Sequence, residues 1–393
     1  MTEADHDNSP LARPGARRSG PGPGAHRCGA LTLGHRFDPR RNNLNALRLA
    51  LALIVLVSHS WVFVHDGDDP LQNLTGGPAA GTIAVDGFFL ISGFLITRSR
   101  LQASSTARYL WHRFLRILPG FWVCLAITAV VFGPLLWRLE REALAGYPWT
   151  GPESAVTYVM ANSLLRMNQF NIGDLHGGEP LDGSLHTLFF EVLCYLMIGV
   201  FGGVGLLRRS RLLVVLSALS CWFLAAADTI SGSQWLGESY TIRYVSVFLV
   251  GVVMYLYVDR IPVTWPLLTT SCALFAITLV APSTYLVLGP VPLAYLLLWG
   301  GTGRRLERVG TRRDLSYGIY IYSWPLQLVL LEAGVGDDNV AVHVAASTAV
   351  SALAAVASWY LVEAPALALK KANVTWPRPW RRDARSAAGG ARP

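Results

Sequence analysis

The sequence predicts an all-α, polytopic membrane protein with about ten transmembrane helices and both termini in the cytoplasm. Composition is the first reason: of 393 residues, 52% are hydrophobic and 15% charged, and mean hydropathy is +0.38. Soluble domains carry about 25% charged residues. The second reason is the recurrence of apolar stretches of roughly the 20 residues a helix needs to cross the hydrocarbon. The third is that basic residues are confined to the ends and to alternate loops, the pattern that sets membrane orientation. The net charge of +8 is therefore a topology signal, and no nucleic-acid partner is expected.

In order, the apolar segments run over 44–64, 82–98, 114–137, 184–205, 211–230, 241–258, 264–281, 283–300, 314–333 and 341–364. Ala281-Pro282 between the seventh and eighth predicts a tight hairpin. Arg40 and Arg41, Arg98 to Arg113, Arg208 to Arg211, Arg304 to Arg313 and Lys370 to Arg382 mark one side. Asp66, Asp68 and Asp69, then Glu238, then Asp337 and Asp338 mark the other. The basic side is cytoplasmic, in the plasma (inner) membrane. The long loop 138–183 then faces outward and holds an interfacial helix near Glu153 to Leu165. The first forty residues are rich in Pro, Gly, Arg and Ser and lack an apolar signal region, so 1–40 and 369–393 are expected to be disordered basic tails around a domain at 41–368. Cys124, Cys194, Cys221 and Cys272 lie in apolar segments without metal-type spacing, and neither disulfides nor a metal site are expected.

The first segment carries the densest chemistry. Arg48 and His59 flank an uncharged run, LALALIVLVS. Eleven positions at 100° make about three turns plus 20°, so both side chains share a face, roughly 16 Å apart along the axis. Ionisable groups at membrane depth usually face a bundle interior or a water-filled cavity; the alternative is that Arg48 snorkels to headgroups and His59 is a satisfied interfacial residue. Arg113 and Arg116 at the start of the third segment suit a phosphate, or simple cytoplasmic anchoring. Segment four opens with Asp182, a candidate N-cap, and continues with Ser184, Thr187, Glu191 and Tyr195 on one stripe. Glu191 can be a buried functional carboxylate or a polar clamp between helices. In segment two, Gly87 and Gly93 suit close helix packing, and Asp86 can be a cap or an acid.

Six stretches carry a resemblance: Arg48-x10-His59, VDGFFLISGFLIT (85–97), RFLRILP (113–119), DGSLHTLFFEVLCY (182–195), DLSYGIYIYSWPLQ (314–327) and SWYLVEAPAL (358–367). From about Arg41 to Ala372 the chain resembles the integral membrane acyltransferase-3 family, whose members acylate hydroxyls of cell-surface sugars and some natural products. The resemblance implies His59 as catalytic histidine, assisted by Glu191 or Asp86. It implies Arg48 as a structural or acyl-CoA-orienting arginine and Arg113 and Arg116 as a pair gripping the donor's phosphates; Tyr317 is expected with them on the acyl-CoA side, and Asp182, Ser184 and His186 on the acceptor side. Acetyl-CoA would be the donor substrate, with no tightly bound cofactor, and a carbohydrate or glycosylated molecule the acceptor. Two positions depart from the family pattern: Asp182 and His186 stand where Asn and Trp are common, and Ser323-Trp324-Pro325 where a histidine often precedes the proline. Two other functions remain open on the residues alone, a transporter or flippase for a sugar-lipid or anion, and a structural scaffold in an envelope complex.

Overall fold

The computed structural model describes residues 31–231, 240–280 and 282–371. Every apolar segment is helical. We label the helices α1 (Leu44–His65), α2 (Ala80–Gln102), α3 (Thr106–Arg141), α4 (His186–Gly203), α5 (Arg211–Ser231) and α6 (Tyr240–Leu256). They continue with α7 (Trp265–Leu279), α8 (Pro282–Leu288), α9 (Pro290–Gly301), α10 (Ser316–Glu332) and α11 (Val340–Ala368). Among the described residues there is no β-strand, only an isolated bridge between Thr32 and Pro262. Six helices, α1 to α5 and α11, are long and apolar enough to cross a membrane; α6, α7 and α9 are shorter apolar helices. The protein is a multi-pass, all-α membrane protein.

The helices differ from their sequence limits in instructive ways. The third runs 36 residues, about 54 Å at helical rise, well beyond the hydrocarbon. A π-helical turn, Thr128–Phe132, interrupts it, and Gly133–Arg141 prolongs it into what the sequence assigns to loop. The eighth segment is broken at Gly289, between α8 and α9. A second π turn, Trp359–Glu363, lies within α11 and turns Glu363 inward, 3% exposed. Such π turns are frequent at functional sites. Residues 31–40, assigned by composition to a tail, are tied down. Leu33 is wholly buried, and backbone bonds of 2.6 to 2.9 Å join Leu31, Leu33 and Gly34 to Val258, Ile261 and Val263. An apolar side chain and a row of paired peptide groups here outweigh the local Arg and Gly content. Residues 1–30 and 372–393 lie outside the described residues.

The α2–α6 crossing sets the core. A Cβ on Gly93 would fall 2.1 Å from the Phe248 carbonyl oxygen, and one on Gly251 2.1 Å from the Leu90 carbonyl oxygen. Only paired glycines allow this approach, the small-residue packing expected in a bilayer. Around it α1, α4 and α10 enclose the bundle centre, with Phe89, Leu90, Ile91, Phe94, Phe248 and Ile321 filling it. Cys124 and Cys194 are buried here as small core residues, whereas Cys272 is exposed. Buried Gln327 donates to the Leu56 carbonyl at 2.7 Å and to Ser60 Oγ at 2.6 Å, fixing α10 against α1 around His59. The long loop folds on itself. Its helix spans Ala155–Asn162, shorter than expected, under a Ser154–Thr157 capping box. His176 N–H donates to Glu140 at 2.7 Å and its ring meets Glu332 at 2.8 Å, fastening the loop to the ends of α3 and α10.

Candidate functional site

Sequence dictates the floor of the site: segments too apolar to solvate a charge carry several, so those charges find each other. Asp314, just before α10, receives Arg48 Nη1 at 2.8 Å and Arg116 Nη2 at 2.6 Å on the same carboxylate oxygen. Its other oxygen accepts from Ser316 Oγ at 2.6 Å, which leaves the bridging oxygen to the arginines. Arg116 Nη1 reaches Glu363 at 3.3 Å, and Ser358 Oγ donates to Glu363 at 3.2 Å. The guanidinium of Arg116 also lies 5.5 Å from the Tyr317 ring centre, and Tyr317 hydroxyl donates to the Ile117 carbonyl at 2.7 Å. Pairing of this kind is what permits ionised groups so far from water.

Above this network lies a cavity of about 40 Å³ in the bundle centre. Arg48, Ser316 and Tyr317 bound one end, Ser92 and Glu191 its middle, and Phe88, Thr187 and Tyr320 the other end. The polar stripe of α4 thus faces the cavity through Thr187 and Glu191. Glu191 accepts from Tyr195 hydroxyl at 2.5 Å and Ser92 Oγ at 3.2 Å, and Thr187 shares a 2.6 Å hydrogen bond with Tyr320. The cavity-lining face of α10 continues one turn onward with Trp324. The His59 ring packs edge-on against it, centroids 4.6 Å apart. His59 Nδ1 is buried with no hydrogen-bond partner among the described residues.

Arg48, Glu191 and Tyr317 are therefore brought together on one cavity, and His59 stands just beyond its far end. Asp86 is not. It is wholly buried, holding Arg243 Nη2 at 2.9 and 3.0 Å and accepting from Tyr285 hydroxyl at 2.9 Å. Those three hydrogen bonds, from two partners, engage both carboxylate oxygens, so the expectation that it orients His59 gives way to a structural ion pair between α2 and α6. Asp182 is not the N-cap, because α4 begins at His186 with Leu185 preceding it. It is wholly buried in the turn, accepting from Ser184 N–H at 3.1 Å and lying 3.6 Å from Cys124 Sγ. Burial pushes its carboxyl well above the usual carboxylate range, although bonds from Cys124, Ser184 and Leu185 act against it. Such a group shapes the turn and does not meet an acceptor. Ser184 Oγ is buried without a partner. His186 Nδ1 lies 2.5 Å from the Gly183 carbonyl oxygen, and Trp324 fills the space a Cβ on Gly183 would need. Two of the departures from the family pattern, at His186 and Trp324, thus converge on Gly183, and Trp324 also packs on His59.

Among the described residues Arg113 meets no carboxylate. Its guanidinium lies 6.0 Å from the Tyr195 ring centre, its Nε buried and unpaired. Lys370 stands near Arg113 and Arg116; burial, with those two cations beside it, lowers its ammonium to about 8. Sequence reasoning missed Asp314, Glu363, Arg243 and Asp69. Asp314 and Glu363 sit inside quoted motifs, which was the available signal. Asp69, 1% exposed, caps a short helix through Leu71 and Gln72 N–H and also takes Ser58 Oγ at 2.7 Å, beside His59.

A helical membrane bundle with paired charges around a central cavity is the architecture of an enzyme or carrier working within the bilayer. The comparisons decide the class. The family described as an acyltransferase domain matches residues 41–362, and the chain belongs to it, the acyltransferase-3 family. It is 28% identical over 369 residues to Nodulation protein 10 of Rhizobium leguminosarum bv. viciae, covering 85% of this chain and 95% of that protein. It is 28% identical over 314 residues to the O-acetyl transferase of Shigella phage Sf6, covering 74% and 86% respectively. It is 27% identical over 313 residues to the exopolysaccharide production protein ExoZ of Rhizobium meliloti, covering 73% and 90%. No solved structure matches. The chain is a membrane acyltransferase.

Proposed function

We propose that this enzyme moves an acyl group, acetyl by default, from cytoplasmic acyl-CoA to a hydroxyl of a sugar-containing acceptor reached from the opposite face. The observation that carries the reading is the central cavity. It begins at Arg48 and Tyr317 on the basic side and ends one turn of α10 short of the Trp324 on which His59 packs. Support comes from the family, from a relative named an O-acetyl transferase and from another named for exopolysaccharide production. Ten crossings, with both termini on the cytoplasmic side of the inner membrane, complete the topology and give the donor and the acceptor separate entrances.

Arg113 and Lys370 attract the donor's phosphates at the cytoplasmic end. Arg116, already held by Asp314 and Glu363, fixes the arrangement of α3, α10 and α11. His59 takes the proton of the acceptor hydroxyl as its oxygen attacks the thioester carbonyl. The tetrahedral adduct collapses, the C–S bond breaks, and the imidazolium returns its proton to the departing thiolate. A positioned base of this kind contributes roughly 10²–10⁴-fold. Glu191, at mid-cavity, orients the acyl arm through Tyr195 and Ser92. Purified protein given labelled acetyl-CoA and envelope glycans tests the reading: it predicts label in ester linkage to the glycan and release of free CoA. Transfer to no hydroxyl, with donor intact, rejects it.

A further inference from the structure

Arg48, Arg116 and Arg243 each meet a carboxylate, as buried cations must. Arg100, at the basic end of α2, does not. It is 9% exposed, and its guanidinium donates only to neutral oxygens, Thr106 Oγ1 at 2.6 Å and the Gly199 carbonyl at 3.5 Å. No acidic group among the described residues pairs with it. It crosses α4 where Gly202 makes room, since a Cβ there would lie 2.5 Å from Arg100 Nε. Arg100 forms one wall of a pocket of about 410 Å³ between the α2–α3 turn and the α4–α5 loop. Arg208 and Arg209, both exposed, form another, and Ser104, Ser105 and the start of α3 a third.

We propose that this pocket binds a phosphate group. Three guanidiniums, two serine hydroxyls and the first turn of a long helix line it, with Ser105 Oγ capping Arg108 N–H at 3.1 Å and Arg208 Nη2 on the Leu101 carbonyl at 2.7 Å, and the remaining donors suit a phosphate group. Cytoplasmic anchoring would account for Arg208 and Arg209 but not for a desolvated Arg100, whose charge calls for an anion. The nucleotide phosphate of the acyl donor is one source, an assignment resting on the function proposed above; an anionic lipid headgroup is the other. On α4 the pocket lies beyond the cavity, Gly202 being eleven residues, about 16 Å, past Glu191. The partition between the two sites is aromatic and cationic: Arg113 lies over Tyr195, Tyr109 hydroxyl donates to the Tyr195 carbonyl at 3.0 Å, and Arg100 lies over Tyr109.

The test uses the full-length protein in neutral detergent and in nanodiscs. Adenosine 3′,5′-bisphosphate, which carries no thioester, is titrated calorimetrically. Retention of phosphatidylglycerol against phosphatidylcholine is read by native mass spectrometry. The variant is R208Q/R209Q, at two exposed positions, with Arg100→Gln as the second, each required to melt as wild type does before titration. Loss of charged contacts to a phosphate predicts bisphosphate affinity at least about tenfold weaker in the double variant. Unchanged nucleotide affinity with lost phosphatidylglycerol preference keeps the phosphate site and assigns it to lipid. Wild-type protein that binds neither probe, or a double variant that binds both as wild type does, overturns the proposal. If either probe responds while acyl transfer to glycans is absent, the donor reading has failed and the phosphate site stands.

Discussion

Replacing Asp314 by Asn removes the carboxylate on which Arg48 and Arg116 converge, at 2.8 and 2.6 Å. The side chains are 19%, 13% and 17% exposed for Arg48, Arg116 and Asp314, so the pairs are largely desolvated and escape the discount that applies at a surface. Removing one partner of such a pair costs about 3–5 kcal/mol, because the cation left behind is uncompensated. Arg116 keeps Glu363 at 3.3 Å, so most of the loss falls on Arg48. The assay is thermal unfolding in detergent of wild type, Asp314→Asn, Arg48→Gln and the double variant. A melting temperature several degrees lower is expected for each single variant. The double variant should recover part of the loss, with a coupling of roughly 1–3 kcal/mol. Additive effects, or an Asp314→Asn protein that melts with wild type, would refute the idea that this carboxylate holds the site together.

Four further outcomes are expected. Gly93→Ala should destabilise by about 1–3 kcal/mol, since its Cβ would meet the Phe248 backbone, whereas Gly87→Ala meets the flexible ends of the Leu51 and Leu297 side chains and should cost less; melting curves compare them. Asp86→Asn should lower stability by about 3–5 kcal/mol, and pairing it with Arg243→Met should restore part of it, because the second change removes the stranded cation. Raising pH through about 8 discharges Lys370 and weakens the anion site proposed at Arg113 and Lys370, so KM for the donor should rise between pH 7 and 9 in wild type and stay flat in Lys370→Ala. The same lowered value makes the charged ammonium unfavourable in the folded state, so its contribution to stability moves the other way, improving as pH rises from about 8 toward 10.5. Glu191→Gln keeps a hydrogen-bonding oxygen for Tyr195 and Ser92 but loses the charge, and should lower kcat while melting close to wild type.

Helix positions were legible because hydropathy is local: segment 44–64 became Leu44–His65, and segment 341–364 lies within Val340–Ala368. The shared face of Arg48, the α4 stripe and the packing glycines were legible for the same reason, since helical periodicity alone sets them. Partnerships were not. Arg48 and Asp314 are 266 residues apart, Arg116 and Glu363 247, and Arg243 and Asp86 157. Nothing in a local pattern says which distant carboxylate will neutralise a given arginine. Asp86 shows the consequence. Its position near a helix start suited a cap or an acid, and only the arrival of Arg243 and Tyr285 makes it a sealed ion pair. The π turn that carries Glu363 inward was equally silent, because a single inserted residue leaves the apolar pattern almost unchanged.

The most direct measurement concerns one imidazole. Membrane vesicles containing wild type or His59→Ala, matched for folded protein by melting profile, are supplied with labelled acetyl-CoA, and ester-linked label in glycan is counted. Loss of at least about a hundredfold in the variant is the predicted result. Label incorporated at the wild-type rate would contradict His59 as the base.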